Sequence, residues 1–121
     1  MRFRDEDGLL CLATAQESRD LDEYAIERLA MPGRLLMEIA GQGAAQAIAL
    51  RFGGVPGDAV ILCGRGNNGG DGYVVARALD DRGWRTQCLT LGAPLAKDAI
   101  ENEALYRALG GTVRELEALD T

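Results

Sequence analysis

Residues 64 to 72 carry the side chains of this chain that are best suited to binding a ligand. They read GRGNNGGDG and bring together two amides, Asn67 and Asn68, one carboxylate, Asp71, and several glycines. Amide and carboxylate oxygens suit an alkali or alkaline-earth cation, and they also bind sugar hydroxyl groups. The main-chain N–H groups of a glycine-rich turn can meet a phosphate. These residue types indicate a site for a sugar phosphate, a cation, or both.

Two common phosphate loops fit this stretch poorly. Gly64, Gly66 and Gly69 satisfy the dinucleotide pattern G-x-G-x-x-G, but that pattern also needs an acidic residue at the end of the next strand. Thr90 and Leu91 stand there instead, which argues against an ordinary NAD-dependent dehydrogenase. A Walker loop would need a lysine and a hydroxyl residue where this chain has Gly70 and Asp71. Triphosphate binding by the Walker mechanism is therefore excluded.

A purely structural interpretation of the same stretch stays open. Asn-Gly is common turn chemistry, and Asp71 could serve as the N-cap of a helix that begins near Gly72. The glycines between 64 and 70, however, are costly in backbone entropy. The stretch also follows an apolar strand, and open α/β sheets bind ligands at the carboxyl ends of their strands.

The elements that position this stretch alternate along the chain. Thr14 and Glu17 have capping-box spacing, which predicts a first helix from near Ala15 to the MPG at 31–33. A second helix is predicted over 34–52, with an apolar stripe at Leu36, Ala40, Gly43, Ala44, Ala47 and Ile48. Strands follow at 59–64, 86–91 and 112–116, with helices between them at 72–82 and 94–109. This order predicts a parallel sheet.

Composition sets the broad class. The chain has 121 residues and a net charge of −6, with no histidine and no basic tract. Its length predicts a single domain over 1–121, with residues 1–12 as a loose leader. The charge argues against nucleic acid and anionic membranes as partners, and no apolar run is long enough to span a bilayer. Without histidine, no imidazole can act as base or metal ligand in this chain.

The three cysteines, Cys11, Cys63 and Cys88, form no C-x-x-C pair, and no secretory leader is evident. We therefore expect reduced thiols and a cytoplasmic protein, with Cys63 and Cys88 buried as neighbours in the sheet. Three strands are also fewer than the roughly five or six of a doubly wound sheet. The pattern predicts the first part of a larger domain.

The segment VILCGRGNNGGDGYVVARAL at 60–79 resembles the signature of the NAD(P)H-hydrate epimerase family, also called the YjeF N-terminal domain. The LMEIAG at 36–41 resembles the leading helices of the same family, and the resemblance runs from about Ala13 to Thr112. It implies a Rossmann-like three-layer α/β/α fold with a mostly parallel sheet and two leading helices. The C-terminal part of that domain would be absent from this chain.

The resemblance also implies an activity. The family are isomerases of metabolite repair that interconvert the R and S epimers of hydrated NADH and NADPH. A NAD(P)H-hydrate dehydratase, sometimes fused to the same polypeptide, then acts on the S epimer. The resemblance assigns substrate binding to Asn67, Asn68, Gly69, Gly70 and Asp71, and a potassium ligand to Asn68. The later family motifs resembling V-D-A-L-x-G-T-G and D-I-P-S-G are missing, so the catalytic acid is expected beyond residue 121.

Two other functions stay open: a non-catalytic ligand-binding or dimerising module of the same fold, and a flavodoxin-like signalling domain. A homodimer is expected from the Ala- and Gly-rich second helix. Single residues also carry predictions. Arg65 either meets a ligand phosphate or faces solvent, and Tyr73 lines the rim of the site. Trp84 belongs to a surface cluster, and the Glu38 carboxylate faces a helix N-terminus or a partner rather than water.

Overall fold

A computed structural model describes residues 14–116 of the chain. The elements are α1 (Ala15–Arg28), α2 (Gly33–Arg51), β1 (Asp58–Cys63), α3 (Asn67–Asp81), β2 (Arg85–Thr90), α4 (Lys97–Ala108) and β3 (Val113–Glu115). They divide between two compact units, which meet between Gly33 and Arg34 in the chain. The predicted leader over 1–12 and Cys11 lie outside the described residues, and the single domain over 1–121 stays a prediction.

The first unit contains α1, and its start is the predicted one. The main-chain N–H of Glu17 donates to Thr14 Oγ1 at 3.1 Å, and the Thr14 N–H donates to Glu17 Oε1 at 3.4 Å. This reciprocal pair satisfies two N–H groups that the first turn of a helix otherwise leaves unpaired. Within this unit the apolar side chains Leu21, Ile26 and Leu29 are exposed.

The second unit contains a three-stranded parallel sheet in the order β1-β2-β3. Asp58 lies opposite Arg85 and Cys63 opposite Thr90, while Cys88 of β2 lies opposite Val113 of β3. All three strands therefore end at the same edge of the sheet. The predicted parallel α/β arrangement is confirmed.

One face of this sheet is covered by α3 and α4, and no helix between residues 34 and 116 covers the other. Alternate side chains of each strand point to the helices, so Cys63, Cys88 and Val113 join a core with Tyr73 and Tyr106. On the opposite face the apolar side chains Val60, Leu62 and Leu91 are exposed. Apolar side chains on both faces of a sheet are typical of α/β folds in which helices cover both faces.

Helix α2 packs on α3 through small residues. Its buried residues are spaced four apart: Met37, Gly41, Ala45 and Ala49. The stripe predicted for this helix is therefore wrong by one position, because Ala40, Gly43, Ala44 and Ala47 are exposed. The helix is apolar on nearly every face, so residue spacing alone could not choose the packed one.

Trp84 was predicted in a surface cluster and instead is buried, with 9% of its surface exposed. It belongs to a core cluster with Ala45, Ala78 and Leu79, and its ring meets that of Phe52 edge-on at 5.9 Å between centroids. Gly83, just before it, has a φ of 89°. This left-handed turn ends α3 as predicted and directs the indole back onto the core.

Candidate ligand site at the start of α3

The predicted site residues form the first turns of a helix rather than a loop. Helix α3 begins at Asn67, five residues before the predicted start near Gly72, so Asn67 to Asp71 are all helical. Its N-cap is Gly66, which has no side chain to accept a hydrogen bond from the first turn. The interpretation of Asp71 as the N-cap is therefore wrong, because this carboxylate lies in the second turn.

The glycines of this segment allow α3 to approach its neighbours closely. A Cβ placed at Gly69 would overlap the carbonyl oxygen of Gly64. A Cβ at Gly70 would lie 2.7 Å from the sulfur of Met37, and one at Gly72 would lie 2.8 Å from the sulfur of Cys63. The main-chain overlap at Gly69 requires glycine there, whereas a side chain at Gly70 or Gly72 would require its neighbours to shift.

These contacts bring the start of α3 to the carboxyl end of β1. Asn67 is exposed, Asp71 is half-buried, and Gly69 and Gly70 are buried. The first N–H groups of a helix have no partner within it, and the helix dipole adds partial positive charge there. The structure thus brings the five predicted residues Asn67, Asn68, Gly69, Gly70 and Asp71 to one helix terminus, with Asn68 placed by its main chain.

The loop that follows β2 is fastened to the loop that follows β1. The Leu95 N–H donates to the Arg65 carbonyl at 2.8 Å, and the Arg65 Nε–H donates to the Ala93 carbonyl at 3.1 Å. The Thr90 hydroxyl donates to the Gly92 carbonyl at 2.6 Å. These bonds make one connected platform of the two loops, beside the start of α3. No sequence pattern predicted this platform, because the two bonds between the loops join Arg65 to residues 28 and 30 positions further along the chain.

Below this platform lies a buried cluster of two thiols and two phenols. Cys63 and Cys88 are 1% and 0% exposed, as predicted for sheet neighbours, and both are free thiols. A hydrogen bond from Cys88 lowers the pKa of Cys63, and the same contact together with burial raises the pKa of Cys88. Burial raises the pKa of Tyr73 to about 12.

Tyr73 was predicted at the rim of the site, and this is wrong. Its side chain is fully buried and packs against Tyr106, with 6.3 Å between ring centroids. Position 73 lies on the face of α3 that packs against the sheet, in a core with Cys63 and Cys88. These buried phenols and thiols form the floor that supports the helix terminus.

The Glu38 carboxylate has the partner predicted for it. Both terminal amino groups of Arg77 donate to Glu38, one of them at 3.2 Å to Oε1, and Gln42 Nε2 donates to the same oxygen at 3.0 Å. The hydrogen bonds from Arg77 hold the pKa of Glu38 below its ordinary value. This ion pair joins α2 to α3 one turn beyond the site.

Comparison with known proteins gives consistent matches over this region. A family model described as YjeF-related protein N-terminus matches residues 33–121. The chain is 41% identical over 119 residues to the bifunctional NAD(P)H-hydrate repair enzyme Nnr of Salinibacter ruber, covering 89% of this chain and 22% of that protein. It is 45% identical over 99 residues to the NAD(P)H-hydrate epimerase of Rhodopirellula baltica, covering 80% of this chain and 40% of that protein.

Further matches agree in extent. The NAD(P)H-hydrate epimerase of Rhodobacter capsulatus is 39% identical over 115 residues, which are 88% of this chain and 54% of that protein. A crystal structure of the yeast protein YNL200c superposes with a TM-score of 0.78 at 22% identity, covering 88% of this chain and 47% of that one. That likeness shows the fold. The chain spans about half or less of the length of these relatives.

Proposed function

This chain belongs to the family of YjeF-related protein N-termini, and from that premise we propose that its protein is an NAD(P)H-hydrate epimerase. The reaction would interconvert the R and S epimers of hydrated NADH and NADPH, which is isomerase chemistry that serves cofactor repair. Relatives that carry this name match 80% and 88% of the chain, and the matched region includes the start of α3.

One structural observation carries the proposal. The segment Asn67 to Asp71 forms the N-terminus of α3 directly at the carboxyl end of β1. Open parallel sheets bind nucleotide ligands at this position, where the helix dipole and the first N–H groups favour a phosphate. Amide and carboxylate groups beside it suit the hydroxyls of the ribose and the polar hydrated ring. We assign substrate binding to these five residues: Asn67, Asn68, Gly69, Gly70 and Asp71.

Potassium is the cofactor of this proposal, with Asn68 as one of its ligands. Among the described residues, no three histidine, cysteine, aspartate or glutamate side chains lie together as a metal cluster. In this proposal the cation is held by amide and main-chain carbonyl oxygens, which the residue types at the start of α3 supply. Such neutral oxygen ligands suit a weakly charged, hard cation. When bound, potassium would supply positive charge close to the phosphates of the substrate.

The remaining parts of the proposal concern the whole protein. We propose that the acid acting at the hydrated ring lies outside these 121 residues. An NAD(P)H-hydrate dehydratase is the proposed partner, and the relative from Salinibacter ruber carries the name of a bifunctional repair enzyme. The cytoplasm is the proposed compartment, which the free thiols Cys63 and Cys88 support. Of the helices that lie between residues 14 and 116, none has the length and hydropathy of a membrane span. The homodimer stays a prediction.

The test is the rate at which the full-length protein equilibrates R- and S-hydrated NADPH, followed by chromatographic separation of the epimers. Asp71→Asn is expected to reduce this rate, whereas Asp81→Asn, at the exposed far end of the same helix, is expected to leave it unchanged. Melting temperatures of both variants control for folding. Equilibration by the unmodified protein at the rate in buffer would refute the epimerase. Tight binding of the hydrate without turnover would support the non-catalytic binding module.

The potassium assignment has its own test. Binding of hydrated NADPH is expected to be stronger in potassium than in lithium buffer, and Asn68→Ala is expected to abolish that difference. Equal binding in the two buffers by the unmodified protein would refute a cation at this position.

A further inference from the structure

The end of β2 lacks the acidic residue that binds a ribose hydroxyl in NAD-binding proteins. In dinucleotide-binding sheets, the residue at this position binds the 2′-hydroxyl of NAD through a carboxylate, or an arginine nearby accommodates the 2′-phosphate of NADP. Here β2 ends at Thr90, followed by Leu91. Thr90 is buried, with 6% of its surface exposed. Its hydroxyl donates a hydrogen bond to the Gly92 carbonyl and accepts one from the Gly92 N–H at 3.2 Å.

An arginine from the neighbouring loop reaches this position. Arg65 follows β1, but its Nε–H donates to the Ala93 carbonyl at 3.1 Å, three residues past the end of β2. Its stem lies against Gly92, where a built Cβ would sit 3.2 Å from Arg65 Cδ. Both its main chain and its side chain are thus fastened to the loop after β2, since its carbonyl also accepts from Leu95.

The hydrogen bond of the Arg65 guanidinium uses Nε and not the two terminal amino groups. With Nε engaged, the two terminal amino groups remain, and these are the donors that grip a phosphate as a fork. Within residues 14–116, the ion pairs are formed by Arg34, Arg77, Arg85 and Arg107 with carboxylates, and Arg65 is not among them. This exposed guanidinium is held by one hydrogen bond through Nε, on a residue whose main chain is also bonded to the neighbouring loop. Without an ion pair among residues 14–116, it is suited to an anionic ligand.

We infer that Arg65 determines specificity by binding the 2′-phosphate of the substrate, so that hydrated NADPH is preferred over hydrated NADH. This inference rests on the proposed function, because it assumes a hydrated dinucleotide across the start of α3. The pyrophosphate would take the helix terminus, whereas the guanidinium is tied to the loop after β2, where the adenosine ribose is read. A phosphate monoester carries nearly two negative charges at neutral pH, which a carboxylate at this position would repel.

The experiment compares kcat/KM of the full-length protein for hydrated NADPH and hydrated NADH. The unmodified protein is expected to prefer hydrated NADPH, and Arg65→Ala is expected to lower the ratio of the two values by about tenfold or more. Arg65→Lys keeps the positive charge but lacks the forked guanidinium. Its ratio is expected to lie between those of the unmodified protein and Arg65→Ala. Arg82→Ala removes an exposed arginine at the other end of α3 and is expected to keep the ratio.

A binding measurement separates this inference from the proposed activity. Calorimetry with 2′,5′-ADP and with 5′-AMP reports recognition of the 2′-phosphate without any turnover. Stronger binding of 2′,5′-ADP that is lost in Arg65→Ala supports the inference, even if the epimerase assay fails. Equal binding of the two nucleotides, or an Arg65→Ala variant that keeps the preference, overturns it. A kcat/KM that falls equally for both substrates also overturns it, because a pyrophosphate contact would act on both.

Discussion

Replacing Gly41 with alanine is expected to destabilise the contact between α2 and α3, whereas the same change at Gly43 is expected to stabilise the protein. The two glycines lie two residues apart in α2. A Cβ built at Gly41 would overlap Val74 Cγ1 and lie 2.5 Å from Val74 Cβ, whereas one built at Gly43 has no atom within 4 Å. The two substitutions therefore differ in packing and share the same effect on helix propensity.

The magnitudes follow from two opposing contributions. An alanine in place of a helical glycine gains about 1 kcal/mol from backbone entropy at either position. At Gly41 the added methyl group meets the Cβ of Val74, which cannot move without α3, so overpacking costs about 3 kcal/mol, the upper end of its usual range. The free energy of unfolding is thus expected to fall by about 2 kcal/mol in Gly41→Ala and to rise by about 1 kcal/mol in Gly43→Ala.

Urea unfolding of the two variants and the unmodified protein measures this difference. The double variant Gly41→Ala/Val74→Ala removes Val74 Cγ1 but keeps Val74 Cβ, so it relieves only part of the clash. Its loss should still be smaller than the sum of the two single losses. A Gly41→Ala protein as stable as Gly43→Ala would show that α2 does not lie against α3 as described. Additive losses in the double variant would show that Val74 is not the side chain that Gly41 accommodates.

Two further predictions concern charge and thiols. Because Arg77 lowers the pKa of Glu38, the ion pair contributes stability that is present above the ordinary value of 4.5 and is lost as pH falls through the lowered value. Glu38→Gln is therefore expected to lower the free energy of unfolding at neutral pH by about 1–3 kcal/mol. The free energy of unfolding of this variant is also expected to change less as the pH falls, as measured by urea unfolding at a series of pH values. Cys63 and Cys88 are expected to resist a thiol reagent in the folded protein, because both are buried; titration of a Cys11→Ser variant before and after unfolding counts them.

Each of these predictions has a control within the chain. The ion pair of Asp58 with Arg85 is exposed on both sides, at 68% and 86% of the side chains, so Asp58→Asn is expected to cost less than about 1 kcal/mol. An equal loss in Asp58→Asn and Glu38→Gln would contradict the role given to burial. Reaction of either remaining thiol in the folded Cys11→Ser variant, at the rate seen after unfolding, would contradict the buried cluster.

The elements that sequence predicted well are those in which local and tertiary preferences agree. The strand β1 is a mainly apolar run, and β2 and β3 follow glycines that end the preceding helices; each strand was located to within a residue. The start of the first helix was predicted from Thr14 and Glu17, because their capping box is formed by residues close together in the chain. Glu38 was correctly expected to have a partner because a carboxylate amid apolar residues needs one, although nothing in the sequence identified Arg77.

The start of α3 could not be predicted because local preference and packing disagree there. Asparagine and glycine are poor helix formers, so NNGGDG favours a loop on propensity alone. The helix forms nevertheless, since its first turns lie directly against Gly64, Met37 and Ala99. The last two residues are distant in the chain and carry no signal of their own. This early start is also why Asp71 was assigned to the wrong position on the helix.

The close approaches of Gly69 and Gly72 bear on how this sequence can drift over evolution. Their replacement would disrupt the packing of α3 on β1 whether or not a ligand is ever bound. Asn67, by contrast, is exposed, so only the substrate contact proposed for it would restrain its replacement. A descendant that abandoned the chemistry would keep its glycines and lose its asparagine first. Retention of Asn67 beside the two glycines would then distinguish a protein that keeps the proposed substrate site from one that has lost it.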